Sequence, residues 1–346
     1  MQIDILKDEE CELISNLIKE SDKIIVCCHV NPDGDAIGSS LAWTEYIRSY
    51  GKQPMLVVPD QFPDFLHWLP CTDQILRYDK KKTILDKAFA EADVIFCLDF
   101  NNIQRVDSMS DALSSSKAKK VMIDHHPGPD IETVLTVSHP ELSSTSEIVF
   151  RLLWQLGAFD TMNKNMSVPI YCGMMTDTGG FTYNSNSPEI YFIISQLLTK
   201  NIDKDKIYRN VYNNYSVSRL RLIGYILYQK MHVYEDYNVA CFTISRQDMA
   251  KFLFKKGDAE GLVNMPLQIK GLKMSISLRE DTEKDNLIWV SLRSVDNFPC
   301  NEVAKEFFNG GGHLNAAGGR LYCTMEEAEN IVKLAIIHFQ ERLRLK

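Results

Sequence analysis

Residues 23–40 read KIIVCCHVNPDGDAIGSS, an apolar run that breaks into a polar, turn-rich loop and then into a segment of helical period. Lys23–His29 predicts a buried strand and Gly38–Tyr50 a helix. The same theme returns along the first half of the chain. Gln53–Val58, Ala92–Leu98 (ADVIFCL) and Lys120–Ile123 (KVMI) predict further strands, separated by polar or helical stretches. Strands alternating with helices build an α/β fold, here an N-terminal, mostly parallel sheet flanked by helices. Ligands of such sheets sit at the carboxyl ends of the strands.

From Ser144 to Tyr228 the pattern turns helical. SSTSEIVFRLLWQLG opens on capping residues and stops at Gly157, and Val168–Met175, Pro188–Leu198 and Ser218–Met231 predict more helices. Further on, His232–Ile244 and Leu272–Leu292 alternate like antiparallel strands, and Met325–Leu345 reads as a terminal helix. The expected organisation is therefore an α/β domain over residues 1–200 and a helical connection over 201–230. A smaller α/β domain with a mixed or antiparallel sheet follows over 231–346. Apolar residues on the helices between Ser144 and Tyr228 suit either a homodimer contact or the core.

Composition narrows the classes. The chain has 346 residues and a formal charge of −8, and the whole acidic surplus lies before residue 230. Such a balance argues against adhesion to long duplex nucleic acid or to an anionic membrane. No apolar run approaches the roughly 18–20 residues of a membrane span. Nine cysteines occur without a CxxC pair, which fits neither a zinc ribbon nor a disulfide framework. With no basic-then-apolar signal region at the start, a reducing cytoplasm is the expected compartment.

The chemistry gathers at the predicted strand ends. His29, Asp33 and Asp35 follow the first strand, and their HxxxDxD spacing lets His29 and Asp33 turn toward one point while Asp35 reaches a second. Asp99 follows VIFCL, and Asp124, His125 and His126 follow VMI. A single aspartate after a strand is ordinarily a cap or turn residue. Three such endings in succession predict one crevice lined with carboxylates and imidazoles. Asp177, in YCGMMTDTGGFTY, adds a further acid before Gly179 and Gly180. So many anions are too many for one zinc and suit a pair of Mn²⁺ or Mg²⁺ ions. Paired ions are the usual means of displacing an oxygen from phosphorus. Among the C-terminal strands, NGGGHLNAAGG (309–319) offers closely approachable backbone at Gly311 and Gly312, with His313 as its one ionisable side chain. Arg279 in SISLRE and Arg293 in SLRS are candidate phosphate grips.

In order, HVNPDGDAIGSS, LDF, DHH, TDTGGF and GGGHLNAAGG resemble the DHH phosphoesterase family with its DHH-associated C-terminal domain. The resemblance runs from about residue 20 to 320, and the length looks like that of the stand-alone oligoribonucleases that also dephosphorylate 3′-phosphoadenosine 5′-phosphate (pAp). It implies that His29, Asp33 and Asp99 bind one Mn²⁺ and that Asp35, Asp99, His125 and Asp177 bind the other, with Mg²⁺ or Co²⁺ as substitutes. It further implies that His126 contacts the scissile phosphate, that Asp124 orients the histidines, and that the GGGH loop and an arginine hold the far end of a short RNA or nucleotide. Phe181 or Tyr183 could lie against a base. The same metal set would also serve a linear or cyclic dinucleotide phosphodiesterase or an exopolyphosphatase or pyrophosphatase; a catalytically silent nucleotide-binding protein should have lost some of these residues.

Overall fold

A computed structural model describes residues 3–344, so Leu345 of the expected terminal helix lies outside the described residues. The chain forms two compact units, divided between Asn214 and Tyr215. In the first, the strands are β1 (Ile24–Cys27), β2 (Met55–Val58), β3 (Leu76–Arg77), β4 (Val94–Leu98), β5 (Lys119–Asp124) and β6 (Leu135–Ser138). The helices are α1 (Asp8–Glu20), α2 (Gly34–Ser49), α3 (Tyr78–Glu91), α4 (Ser110–Ser115), α5 (Thr145–Gln155), α6 (Lys164–Asp177), α7 (Pro188–Thr199) and α8 (Lys204–Tyr212). The sheet order is β3-β2-β1-β4-β5-β6, with every pair parallel.

Alternation along the buried strands assigns their side chains to two cores. Val26, Phe96 and Ile123 pack toward α1, α2, α5 and α6, while Ile25, Ile95 and Met122 pack on the opposite face toward α3 and α4. A parallel sheet covered on both faces is the expected arrangement. The chain leaves β1 for β2 and β3 on one side and returns to β4 on the other. Loops after β1 and β4 therefore diverge and open a crevice at the strands' carboxyl ends.

Two boundaries move for a physical reason. Helix α2 starts at Gly34, ahead of the expected Gly38, because the Asp33 carboxylate accepts the N–H groups of Asp35 and Ala36 and caps it. Asp35 thus lies in the first helical turn and not on the tight loop its DGD sequence suggests. The Val168–Met175 expectation grows to α6, whose internal Pro169 sits in its second turn.

Helices α2 and α6 come close enough that their backbones nearly touch. A Cβ at Gly173 would collide with Ser146 Oγ and sit 2.9 Å from Asp35 Oδ1, and one at Gly38 would sit 2.5 Å from the Pro169 carbonyl. Overpacking of this kind typically costs about 1–3 kcal/mol. We expect Gly173→Ala to lower the melting temperature by several degrees and to weaken hydrolysis, because the displaced group is Asp35; thermal melts beside rate measurements check both.

The second unit holds helices α9 (Val217–Tyr225), α10 (Arg246–Lys251), α11 (Cys300–Phe307), α12 (Met325–His338) and α13 (Gln340–Arg344). Its strands are β7 (Met231–Tyr234), β8 (Val239–Ile244), β9 (Met274–Glu280), β10 (Leu287–Ser294), β11 (Gly311–His313) and β12 (Ala316–Tyr322). Their order is β11-β12-β10-β9-β8-β7, antiparallel except for the parallel pair β8–β9. That pair departs from the antiparallel expectation for these segments because the long excursion from Ser245 to Lys273, with α10, is a crossover and not a hairpin. The smaller mixed sheet matches the expected architecture. Phe339 adopts a non-helical ψ of 9° and splits the terminal helix into α12 and α13. Among the described residues no helix is long and apolar enough to cross a membrane.

Candidate metal centre

The crevice between the ends of β1 and β4 collects the side chains named from the strand ends. His29 and Asp33 leave β1, Asp35 rides on α2, and Asp99 leaves β4. Asp124 ends β5, His125 and His126 follow it, and Asp177 is the last residue of α6. Asp99 adopts a left-handed backbone with φ of 63°, a conformation aspartate tolerates better than most residues. Its two oxygens face different neighbours: Oδ2 lies 3.3 Å from His29 Nε2, and Oδ1 lies 3.6 Å from His125 Nε2. His29 Nε2 is also 3.9 Å from Asp33, while His125 Nε2 is 3.9 Å from Asp35 and 3.6 Å from Asp177.

Most of these separations are too long for hydrogen bonds. They suit donors that share a cation, since metal–oxygen bonds of about 2.0–2.2 Å place two ligands up to roughly twice that distance apart. The sets His29–Asp33–Asp99 and Asp35–His125–Asp177 each bring one ligand atom per residue within 4.8 Å of one another. The His29 ring supports this use. Its Nδ1 lies 2.8 Å from the Val30 carbonyl, so that nitrogen carries the proton and Nε2 turns inward.

Proton affinities in the protein groups alone follow the same logic. Burial, followed by the charges of Asp99 and Asp177, pushes the Asp35 carboxyl well above its usual range. Burial would lower His29, yet its hydrogen bond to Asp99 and the charges of Asp33 and Asp99 raise it instead. Asp99 itself, despite burial, is held low by the hydrogen bond from His29 and by His126, His29 and His125. Buried carboxylates that draw protons onto their neighbours fit a cation-binding set.

The group that anchors Asp35 leaves no local signal in the sequence. Helix α5 points its first turn at the carboxylate: the Thr145 N–H donates to Asp35 Oδ2 at 2.7 Å and the Ser146 N–H to Oδ1 at 2.8 Å. Thr145 Oγ1 donates to Asp99 Oδ1 at 2.9 Å. The run SSTS reads as caps for its own helix, and Ser144 does cap it, by accepting from the Glu147 N–H. Only the tertiary fold shows that the next two residues hold ligand candidates in place.

Asp124 and His126 form a separate pair. Asp124 Oδ1 accepts from His126 Nδ1 at 2.8 Å, and Oδ2 accepts from the His126 backbone N–H at 3.0 Å. The imidazole is thereby fixed at Nδ1 and turned at Nε2. Phe181 is half-buried and packs against Tyr171 at the margin of the core, with ring centroids 5.6 Å apart; Tyr183 is exposed.

In the second unit, His313 closes β11 and pairs with Ala316 of β12, which in turn pairs with Arg293 of β10. Gly311 and Gly312 are exposed on β11, and Arg279 lies on β9 opposite Trp289. Strand register thus places Arg279, Arg293 and His313 on one face of this sheet.

A parallel sheet with this crevice, in one chain with a smaller mixed-sheet unit, belongs to a phosphoester hydrolase. The chain is a member of the DHH family: residues 23–174 match the DHH family, N-terminal domain, and residues 236–340 match the DHHA1 domain. The crystal structure of an exopolyphosphatase-related protein from Bacteroides fragilis is similar at 52% identity and a TM-score of 0.93, covering 99% of each chain. The bifunctional oligoribonuclease and PAP phosphatase NrnA of Bacillus subtilis is 28% identical over 90% of this chain and 93% of its own. RecJ of Thermus thermophilus, crystallised with Mn²⁺, shares the fold at 12% identity and a TM-score of 0.57, over 96% of this chain and 54% of RecJ.

Proposed function

We propose that this hydrolase is a Mn²⁺-dependent enzyme that degrades very short RNA to 5′-mononucleotides and removes the 3′-phosphate of pAp. The observation that carries the two-ion reading is Asp99, one buried carboxylate whose oxygens face His29 and His125 separately. His29, Asp33 and Asp99 would hold one ion, and Asp35, Asp99, His125 and Asp177 the other; Mg²⁺ or Co²⁺ could take the same donors. When bound, the ions supply activation of water and neutralisation of phosphoryl charge. The chain's own groups do the rest. Thr145 and Ser146 hold Asp35 and Asp99 by three hydrogen bonds, so the donors are fixed before substrate arrives. Asp124 holds His126 through Nδ1, and the protonated imidazole would donate its Nε2–H to a phosphoryl oxygen. In the second unit Arg293 and His313, with the approachable backbone of Gly311 and Gly312, would supply anion contacts, and Arg279 a further contact to the substrate.

The substrate class is supported by the Bacillus subtilis relative, whose name carries both activities. The balanced charge after residue 229 also favours a short chain, because no broad basic surface is available for a long one. A Mn²⁺ panel of a ribodinucleotide, pAp, cyclic di-AMP, polyphosphate and a long single strand tests the reading. AMP release from the dinucleotide and from pAp, faster than any release from the long strand, is expected. Phosphate release from polyphosphate with no AMP from the dinucleotide would overturn it, in favour of the activity in the Bacteroides fragilis protein's name.

A further inference from the structure

One face of the second unit's sheet packs under α11 and α12 through residues such as Leu278, Val290 and Leu292. The alternate residues occupy the other face. There, Trp289 stands opposite Arg279 on β9 and Arg320 on β12. Two residues along, Ser291 stands opposite Ser277 and Gly318. Two further on, Arg293 stands opposite Ala316, and Ala316 opposite His313. The face therefore carries a row with an indole between two guanidinium groups, then a row of small residues, then a row with Arg293 and His313. Four strand residues separate the outer rows, roughly 13 Å.

The first row is held in position by its neighbours. Trp289 is half-buried, and its Nε1–H donates to Asp281 Oδ2 at 2.7 Å, which fixes the ring by one edge. The other oxygen of Asp281 accepts the N–H groups of Glu283 and Lys284 at 2.9 and 2.8 Å. Asp281 is therefore occupied by the hairpin turn and the indole. Arg279 rests over the Phe254 ring at 5.7 Å and makes no hydrogen bond or ion pair with a described residue. Burial draws its pKa down, opposed only by the charge of Asp281.

We propose that Trp289 and Arg279 form a nucleobase subsite, with the base stacked on the indole face and guanidinium plane and the phosphate end of the same ligand at Arg293 and His313. The inference rests on the nucleotide reading above and sharpens it, because it names what lets the protein choose a nucleotide over a bare phosphate chain. A polyphosphate has nothing to stack and would call for cations in every row. Here the middle row offers only the exposed Ser291 and the half-buried Gly318 beside the buried Ser277, a low floor on which a sugar can lie.

The test uses the full chain with Trp289→Ala and Trp289→Phe. Stacking is worth about 1–3 kcal/mol per base by truncation to alanine, so KM for a ribodinucleotide should rise roughly tenfold to a hundredfold in Trp289→Ala while kcat is held. Trp289→Phe should recover most of the loss. A dinucleotide with one base removed should bind wild-type protein as poorly as the intact one binds Trp289→Ala, with little further loss when both changes are combined. Independently of turnover, titration of wild-type protein with AMP should quench tryptophan fluorescence, and Trp289→Phe should lose that quench. Dinucleotide hydrolysis with unchanged KM in Trp289→Ala, or a quench that survives Trp289→Phe, would overturn the subsite and leave the proposed activity standing. Absence of any dinucleotide or pAp hydrolysis by wild type would instead overturn the activity.

Discussion

Asp99→Asn is expected to lower kcat on a ribodinucleotide by at least about 10³ at saturating Mn²⁺, the loss that follows when several kcal/mol of phosphoryl charge stabilisation disappear. Asparagine is the sharper probe than alanine. Asp99 sits at a φ of 63°, where asparagine is comfortable and alanine is strained, so Asp99→Asn changes charge without asking the backbone to move. It also keeps an oxygen for the Thr145 hydroxyl, which now donates to Asp99 Oδ1. Steady-state rates across a Mn²⁺ titration, with circular dichroism to confirm folding, check the result. Retention of more than a tenth of wild-type kcat would mean that Asp99 does not link the two donor sets.

The second large effect is on stability. Asp35 and Asp99 are each only 1% exposed, and with Asp33 and Asp177 they crowd negative charge into one crevice. A ligand that binds only the folded chain stabilises it by about 2.7 kcal/mol at a hundredfold excess over its Kd. For a unit of this size that is a rise of roughly 5–10 °C in melting temperature on moving from chelator to Mn²⁺. Asp177→Asn separates repulsion from ligation. It removes one charge beside Asp35 without disturbing the two N–H groups that Asp35 accepts, which Asp35→Asn would spoil by turning an amide N–H toward them. The Asp177→Asn protein should melt above wild type in chelator and gain less from Mn²⁺. A wild-type melting temperature indifferent to Mn²⁺ over a hundredfold range would contradict ligation at these residues.

The parts of the fold that were legible in the sequence are those where one residue type has one use. Ile24–Cys27, Val94–Leu98 and Val121–Ile123 are apolar on both faces, so each reads as a strand buried on both sides, and the polar residue that ends it marks the crevice. Leu76–Arg77 is too short to show a period, and Leu135–Ser138 at the sheet edge alternates between buried and less buried residues, so neither announces itself. Asp33 is both a ligand candidate and a helix cap, which is why α2 begins earlier than its apolar spacing implies. Thr145 and Ser146 were opaque for a related reason: their hydrogen-bonding groups reach Asp35 and Asp99 only through a contact more than forty residues away in sequence, and nothing local records it. The Arg279–Trp289 row depended on register, which fixes which residues of two strands become neighbours and is invisible in either strand alone.

The dispersal of the crevice residues also bears on how the protein is made. His29, Asp33 and Asp35 emerge together, but Asp99 follows much later, His125 later again, and Asp177 only at the end of α6. A growing chain halted before α5 would carry Asp35 with neither of the N–H groups that hold it, and a chain halted before Asp177 would lack one wall of the crevice. The full set of crevice residues is thus present only once α6 has been made. Prematurely terminated chains would therefore carry an incomplete set of donors.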